Sequence, residues 1–392
     1  MYHWRRRNLS PGRGGILAVA ISFSFILAFL AVFPAQAQTK GSDTMQLLLI
    51  GSGGRAYMVA ECLAAEDADI EALQYNPAGT ANAFNLQFQA SFISWYDDFS
   101  YGNTALSFPV KKEEHRSGNL FFSFKFLSLP RFDWIDIDGV VQNEKLSQND
   151  FSLAAGYNRP LSRWLSAGAD LRFVTSRLAD AAATTKLPLL DAGVIFRLSS
   201  HTAPVRLALT ARNIGIPVTY SGSSVVNNLP SELAFGFLLP AFRNPTNGSG
   251  INIMGRFSCR FNGVIGCDLG TEIIISRFFT IGGGYKFLSD AGKFMMGGSL
   301  RIPIFRMESR LNIAYLFSNH DQLDNVFVIS LNLFGASAPV RRHGRPRAAV
   351  SPSSRVETTS PVPLESINPI PVSTNSPSRL PAEAARSGRQ PP

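Results

Sequence analysis

The sequence is poor in charge: Asp, Glu, Lys and Arg make up 17% of its 392 residues, against about 25% in soluble proteins. The net charge of +9 is unevenly distributed, because residues 336–392 hold eight Arg and three Glu. No Lys/Arg stripe runs through the rest of the chain, so we expect no nucleic-acid partner. Apolar residues reach 45%, with 30 Phe and 32 Gly, and this composition suits a chain with an apolar outside and a polar inside.

Cysteine and histidine are also scarce, with three Cys and five His scattered along the chain. No C-x-x-C pair and no zinc-ligand spacing occurs, so we expect neither a metal site nor a cofactor. No nucleophile motif such as G-x-S-x-G is present. The sequence therefore predicts a protein that is not an enzyme and leaves an esterase or protease as a minor alternative.

Long apolar runs are missing except for residues 16–33, which are uncharged. Four Arg precede this run within residues 5–13, and the small-residue pattern Ala35-Gln36-Ala37 follows it. These features predict a signal peptide over 1–37, cleaved after Ala37, which delivers the chain to an oxidising compartment. A single transmembrane anchor is the alternative, because 18 apolar residues just reach spanning length.

Residues 51–79 read GSGGRAYMVAECLAAEDADIEALQYNPAG. The Gly-rich start resembles a phosphate-binding loop, but no Lys-Ser/Thr follows and no strand-helix-strand unit surrounds it, so we predict a turn. The acidic residues that follow lack the spacing of an EF-hand loop, and we predict that they form a solvated helix face. These residues are Glu66, Asp67, Asp69 and Glu71.

Apolar and polar residues alternate with a period of two from residue 85 onward, which is typical of strands with one apolar face. Each segment has about ten residues, the length that a tilted strand needs to cross a bilayer. The segments are 85–92, 103–108, 119–126, 150–157, 165–173, 190–197, 205–212, 232–237, 251–260, 265–275, 279–287, 293–302, 310–318 and 327–333. Their even number is what a closed barrel with both ends on one side requires. Periodicity alone does not exclude a soluble β-sandwich, but the confinement of charges to one face of each strand and the signal peptide argue against one. The Asp-rich segment 132–137 fits an external loop better than a further strand.

Connection lengths support the same architecture. With the N-terminus placed in the periplasm, the connections on that side are short, whereas 128–148, 177–186 and 214–230 lie outside and are the longest. Short periplasmic turns and long external loops are the rule in outer-membrane barrels.

A tight turn at Phe261-Asn262-Gly263 separates two cysteines. A three-residue loop over 262–264 keeps both strand faces in register and places Cys259 opposite Cys267, within disulfide reach. The alternative is two free, lipid-facing thiols. Cys62 is predicted to stay free.

Several short motifs in this chain follow a known pattern. They are Gly54-Arg55-Ala56, Met58-Val59, Asn76-Pro77-Ala78-Gly79, Gly270-Thr271-Glu272 and Gly282-Gly283-Gly284-Tyr285-Lys286. Over residues 45–335 the chain resembles the PorV/PorQ family, which is related to FadL-type transporters and to an uncharacterised family of spirochaete outer-membrane proteins. Val59 stands where that family usually has Gly, and the tail after Gly335 is extra.

The resemblance implies an all-β membrane fold: a 14-stranded antiparallel outer-membrane β-barrel over 84–335, with a small N-terminal helical hatch over 38–83 in its lumen. The resemblance assigns hatch and gating roles to Gly54, Arg55, Asn76, Pro77, Ala78 and Gly79. The lumen-lining charges are Asp170, Arg172, Arg206, Arg212, Arg256, Asp268 and Glu272. Since buried charges are costly when unpaired, Arg55 is expected to pair with an inner carboxylate.

The implied location is the outer membrane of a diderm bacterium, in contact with its lipid. The resemblance implies FadL-like transport of hydrophobic small molecules. A PorV-like partner for secreted proteins and a purely structural role are the alternatives. The tail, 336–392, holds 11 of the 24 Pro and is predicted to be disordered in the periplasm. It is either a spacer or an adaptor for a periplasmic partner or the cell wall.

Overall fold

The computed structural model describes residues 44–335 except for 95–98, 113–114, 130–131, 136–137, 179–180, 186–187, 199–203, 290–291, 305–306 and 320–324. The predicted signal peptide, residues 38–43 of the predicted hatch and the predicted tail lie outside the described residues.

Seventeen strands are present in this part of the chain. They are β1 (Gln87–Ser94), β2 (Ser100–Lys112), β3 (His115–Ser128), β4 (Phe132–Ile135), β5 (Val141–Leu146), β6 (Gln148–Pro160), β7 (Leu165–Leu178), β8 (Ala181–Thr184), β9 (Leu189–Leu198), β10 (Val205–Ile214), β11 (Glu232–Arg243), β12 (Gly250–Arg260), β13 (Ile265–Ile274), β14 (Phe279–Lys286), β15 (Gly292–Ile304), β16 (Met307–Ser318) and β17 (Val326–Phe334).

Fourteen of these strands form a closed antiparallel barrel. The fourteen are all the strands except β4, β5 and β8. Each pairs with the next of the fourteen along the chain, including β3 with β6 and β7 with β9, and β17 pairs with β1, so the sheet closes on itself. The fourteen predicted segments correspond one to one to these strands, and the predicted fold class is confirmed. Residues 132–135 of the Asp-rich segment are indeed not a barrel strand, because β4 pairs with β5 in a separate hairpin within the connection between β3 and β6.

The strands alternate between an apolar outer face and a polar inner face. In β3, Phe122 and Phe124 are 45% and 38% exposed, whereas Ser123 and Lys125 are 5% and 3% exposed. Successive side chains of a strand point to opposite faces, so a period of two places every second residue toward the membrane. Because the barrel is closed, its fourteen strands leave no unpaired sheet edge, which apolar surroundings would not tolerate.

The two ends of the barrel differ. The three longest connections, 129–147, 179–188 and 215–231, leave the same end, which we call the long-loop end. The opposite end, where Gln87 of β1 pairs with Phe334 of β17, we call the short-turn end. The connections there include 113–114, 161–164, 275–278 and 305–306.

Residues 44–83, which we call the hatch, lie inside the barrel. Thr44 donates its N–H to Asn228 O at 3.1 Å at the long-loop end, and the hatch joins β1 at the short-turn end. The hatch therefore starts at the end opposite to that expected for the N-terminus. It contains a short helix, α1 (Gly54–Met58), and two 3-10 turns, Gln46–Leu48 and Ile70–Gln74. Among the described residues, no helix is long and apolar enough to cross a bilayer.

The predicted disulfide is wrong. Cys259 pairs with Ile265 and Cys267 pairs with Phe257, and both thiols are free. The hairpin loop has three residues, as predicted, but it spans 261–263, with Gly263 at φ 85°. A type I turn followed by a left-handed residue is the usual three-residue loop, and it sets the register so that the cysteines are diagonal neighbours.

We predict that a charge on the outer face is costly in the membrane. Leu171, near the middle of β7, is 51% exposed, and Leu171→Arg is expected to reduce the free energy of unfolding by about 2–4 kcal/mol. Leu161→Arg, in a short turn at the barrel rim, is the control and is expected to cost about 0–1 kcal/mol. Denaturant titration in lipid bilayers measures both values, and equal costs would contradict a membrane-facing β7.

Candidate functional site

The Gly-rich turn positions Arg55 at the centre of the hatch. Gly53 has φ 95°, a left-handed conformation that favours glycine, and α1 begins at the next residue. The N–H of Gly54 donates to Ser330 Oγ at 2.9 Å, and a Cβ on Gly54 would lie 2.8 Å from Asn312 Cβ. The turn therefore brings the backbone of α1 against the inner wall, which supports the prediction of a structural turn at this position.

Arg55 joins the hatch to the wall through a buried ion-pair network. Its Nε and Nη2 donate to the two carboxylate oxygens of Glu272 at 2.7 and 3.1 Å. Its Nη1 donates to Asp69 at 2.8 Å, and Nη2 also reaches Glu66 at 3.2 Å. The planar guanidinium binds Glu272 in a bidentate manner, which fixes orientation as well as charge. The expected pairing of Arg55 with an inner carboxylate is present in this geometry.

Arg310 of β16 continues this network. Its Nη1 and Nη2 donate to the two oxygens of Asp69 at 2.6 and 2.9 Å. Burial alone would raise the pKa of Asp69, but the guanidinium groups of Arg310 and Arg55 hold this pKa well below its usual range. Asp69 therefore stays ionised between two arginines, one on the hatch and one on the wall.

The acidic segment is not the solvated helix face that the sequence predicts. Glu66 and Asp67 are 8% and 5% exposed and accept hydrogen bonds from Arg206 Nη1 at 2.7 and 2.6 Å. Asp67 also accepts from Arg197 Nε at 2.5 Å, and Glu61 pairs with Lys286. The segment lies in the lumen, where cations of the wall take the place of water.

Glu71 is fully buried and connects α1 to two wall strands. It accepts the N–H of Ala56 at 3.0 Å and the side-chain amides of Asn312 and Asn332, both at 2.8 Å. Ser330 Oγ donates to it at 3.1 Å. These donors supply the hydrogen bonds that a buried carboxylate requires.

The Asn76-Pro77-Ala78-Gly79 motif anchors the other half of the hatch. Asn76 Oδ1 accepts the N–H of Ala78 at 2.9 Å, and Asn158 Nδ2 of β6 donates to Pro77 O at 2.8 Å. The motif lies on two paired wall glycines, Gly168 and Gly193. A Cβ on Gly193 would lie 2.1 Å from Asn76 Oδ1, so glycine is required for this close approach.

A second glycine pair lies under the segment that follows α1. Gly270 and Gly284 face each other on β13 and β14, and a Cβ on them would lie 2.3 Å from Val59 O and 2.6 Å from Ala60 Cβ. The Gly-x-Glu and Gly-Tyr-Lys motifs therefore bring the wall close enough for Glu272 to reach Arg55 and for Lys286 to reach Glu61.

The seven predicted lumen charges lie on the inner face, and they differ in their partners. Arg206 and Glu272 bind carboxylate and guanidinium groups of the hatch, and Arg212 Nη1 donates to Gln74 O at 2.5 Å. The other four pair within the wall. Arg256 pairs with Glu232 at 2.6 Å and with Asp268 at 3.3 Å, and Arg172 pairs with Asp191 at 3.0 Å and with Asp170 at 3.7 Å.

Several hatch contacts were missed in the choice of candidate residues from the sequence. The wall residues that were missed all occupy inward-facing positions of their strands. The alternation of inward and outward positions along each strand was the signal that could have identified them. They are Asn158, Arg197, Lys286, Arg310, Asn312 and Asn332. Among the described residues, no group of three or more His, Cys, Asp or Glu side chains could hold a metal ion.

Two cavities border the hatch on opposite sides. The smaller, of about 160 Å³, is lined by Glu61, Tyr75, Arg212, Arg256 and other residues. The larger, of about 640 Å³, opens at the short-turn end and has Arg55 on its wall. The hatch and its ion pairs lie between the two cavities.

We predict that Arg55→Met opens the barrel. Without the guanidinium, Asp69 and Glu66 keep Arg310 and Arg206, but Glu272 is left as a buried charge without a cation, which disfavours the seated hatch. Planar-bilayer recordings are expected to show discrete currents for this variant and little current for the wild type. Arg163→Met, in an exposed short turn, is the control, and a variant at Arg55 as quiet as the wild type would contradict the prediction.

We also predict acid sensitivity from Asp69. Its pKa is lowered in the folded state, so its stabilising contribution is present above the unfolded value of about 3.9 and is lost as the pH falls through the folded value. The free energy of unfolding is expected to fall below about pH 4, and Asp69→Asn is expected to flatten that part of the curve. An unchanged pH dependence in Asp69→Asn would count against this assignment.

Comparisons with known proteins support no family assignment, because no protein-family model and no curated protein matches the chain. Among solved structures, the toluene transporter TodX of Pseudomonas putida is similar, with 12% identity and a TM-score of 0.44, over 73% of this chain and 97% of that chain. A FadL homologue of Pseudomonas aeruginosa has 10% identity and a TM-score of 0.44, over 73% and 98%. Omp33 of Acinetobacter baumannii has 11% identity and a TM-score of 0.36, over 64% and 98%.

Proposed function

We propose that this chain is an outer-membrane barrel of a diderm bacterium that moves hydrophobic small molecules, with the hatch as its gate. The proposal includes export through the signal peptide, with cleavage after Ala37. The tail, 336–392, then contacts a periplasmic partner or the cell wall. The resemblance to PorV/PorQ, a family related to FadL-type transporters, supports this direction.

The observation that carries the proposal is a change of polarity along the inner wall. Toward the long-loop end, inward positions of six neighbouring strands are apolar and buried against the hatch. They are Ile93, Tyr101, Leu127, Met295, Leu316, Val326 and Val328. On the hatch, Tyr57, Met58 and Leu63 belong to the same apolar cluster.

The inner wall toward the short-turn end is polar instead. Gln87, Asn119, Asn158 and Asn332 are all buried there. A hydrophobic molecule arriving from the long-loop end therefore meets an apolar wall once the hatch withdraws. Burying apolar surface favours that step by roughly 25 cal/mol per Å². The ion pairs of Arg55 keep the hatch seated until such a molecule competes for the apolar positions.

We predict that a reversible covalent lock on the hatch stops transport. Ser107 Oγ of β2 and Thr80 Oγ1 of the hatch are 3.0 Å apart, so the double substitution Thr80→Cys/Ser107→Cys places two sulfurs within bonding reach. Uptake of a radiolabelled hydrocarbon by cells is expected to fall about tenfold on oxidation and to recover with a reductant.

Ser107→Cys alone is the matched control and is expected to transport normally under both conditions. Equal uptake by the oxidised and reduced double variant would show that this part of the hatch does not gate passage.

An interaction role is the second candidate, in which a PorV-like barrel receives secreted proteins. Exposed aliphatic side chains in the 215–231 connection favour it, with Val225 and Val226 at 61% and 66% exposure. Val225→Ser/Val226→Ser separates the two functions. Lost surface attachment of secreted proteins with normal uptake supports the interaction role, and the reverse result supports transport.

A further inference from the structure

The cavity at the short-turn end has an unusual lining that hatch gating does not explain. Six arginines and four carboxylates border its volume of about 640 Å³. Three of these arginines, Arg55, Arg206 and Arg310, belong to the ion-pair network of the hatch. The other three are Arg243, Arg277 and Arg301.

These three arginines have no carboxylate partner among the described residues. Arg243 Nη2 donates to the neutral amide of Asn252 at 3.0 Å, and Arg277 lies over the ring of Phe278 at 4.5 Å. Arg301 stands directly opposite Arg310 across β15 and β16, so two guanidinium-bearing residues are cross-strand neighbours. Like charges directly opposite destabilise a sheet, and Asp69 balances only Arg310. Arg243, Arg277 and Arg301 are exposed at the mouth of the cavity, where an anion from solution can reach them.

Charge and shape indicate the class of ligand. Arg243, Arg277 and Arg301 with Glu308 leave a surplus of two positive charges outside the hatch network. A phosphate monoester carries about −1.5 to −2 charges at neutral pH and presents three acceptor oxygens, whereas a carboxylate or sulfonate supplies one charge. Phe84, Ile274 and Phe334 line the same cavity and offer an apolar surface to the body of the ligand. The volume is typical of small-molecule sites.

We propose that the cavity at the short-turn end is a binding site for a phosphate monoester with a small apolar body. The proposal is independent of the cargo that crosses the barrel. The phosphate belongs either to a soluble molecule or to the headgroup of a lipid, and the chemistry of recognition is the same.

Isothermal titration of the purified full chain in detergent with phenyl phosphate tests the site. Saturable binding is expected, with benzenesulfonate, a monoanion of similar shape, at least about tenfold weaker and benzyl alcohol not bound. Arg301→Gln and Arg243→Gln are each expected to weaken phenyl phosphate binding about tenfold. Arg177→Gln, on β7 near the long-loop end, removes the same charge and is expected to bind like the wild type.

A second arm separates the two sources of phosphate. In nanodiscs, phosphatidic acid is expected to compete with phenyl phosphate if the source is a lipid headgroup, and to leave its affinity unchanged if the source is soluble. Heat-modifiable migration on gels verifies that each variant is folded. The proposal is overturned if phenyl phosphate does not bind, if it binds no better than benzenesulfonate, or if folded Arg301→Gln binds it like the wild type.

Discussion

The bidentate pair between Arg55 and Glu272 is the interaction on which the rest of the structure depends. A guanidinium inside a barrel has lost most of its hydration, and it is tolerated only with carboxylates in good geometry. Glu272 on the wall, with Asp69 and Glu66 on the hatch, supplies them. Arg310 on β16 then balances Asp69, so the charges around Arg55 are neutralised between hatch and wall.

This constraint explains the glycines of the wall. Ion pairs are short, and the hatch backbone has to approach the wall closely for Arg55 to reach Glu272. Gly270 and Gly284 allow that approach near α1, and Gly168 and Gly193 allow it under Asn76 and Pro77. The same strands carry large apolar residues on the outer face. At these positions the wall therefore has small side chains toward the lumen and large ones toward the lipid.

Much of the fold was predictable because a period of two can be recognised in the sequence alone, without knowledge of tertiary contacts. The alternation of Gln87 and Phe88, repeated over fourteen segments, specifies which face meets the membrane. The acidic segment was misjudged because composition does not distinguish water from a lumen lined by Arg206 and Arg197. The register at Gly263 was missed because glycine at the second or third loop position gives different pairings, and only the backbone conformation decides between them.

The candidate site was predictable in part for a similar reason. Arg55 and the Asn-Pro-Ala-Gly motif stand out as local patterns. Arg310 and Glu71 do not, since each is one of many charges with the correct parity or spacing. Their importance comes from contacts across 241 or more residues, such as Arg310 with Asp69 and Ser330 with Glu71, which no local pattern encodes.

A double-mutant cycle on Arg55 and Glu272 tests the central claim most directly. The free energy of unfolding in lipid bilayers is measured for the wild type, Arg55→Met, Glu272→Met and the double variant. If this pair seats the hatch, the coupling free energy is about 2–3 kcal/mol. A coupling near zero, with additive losses, would contradict the account.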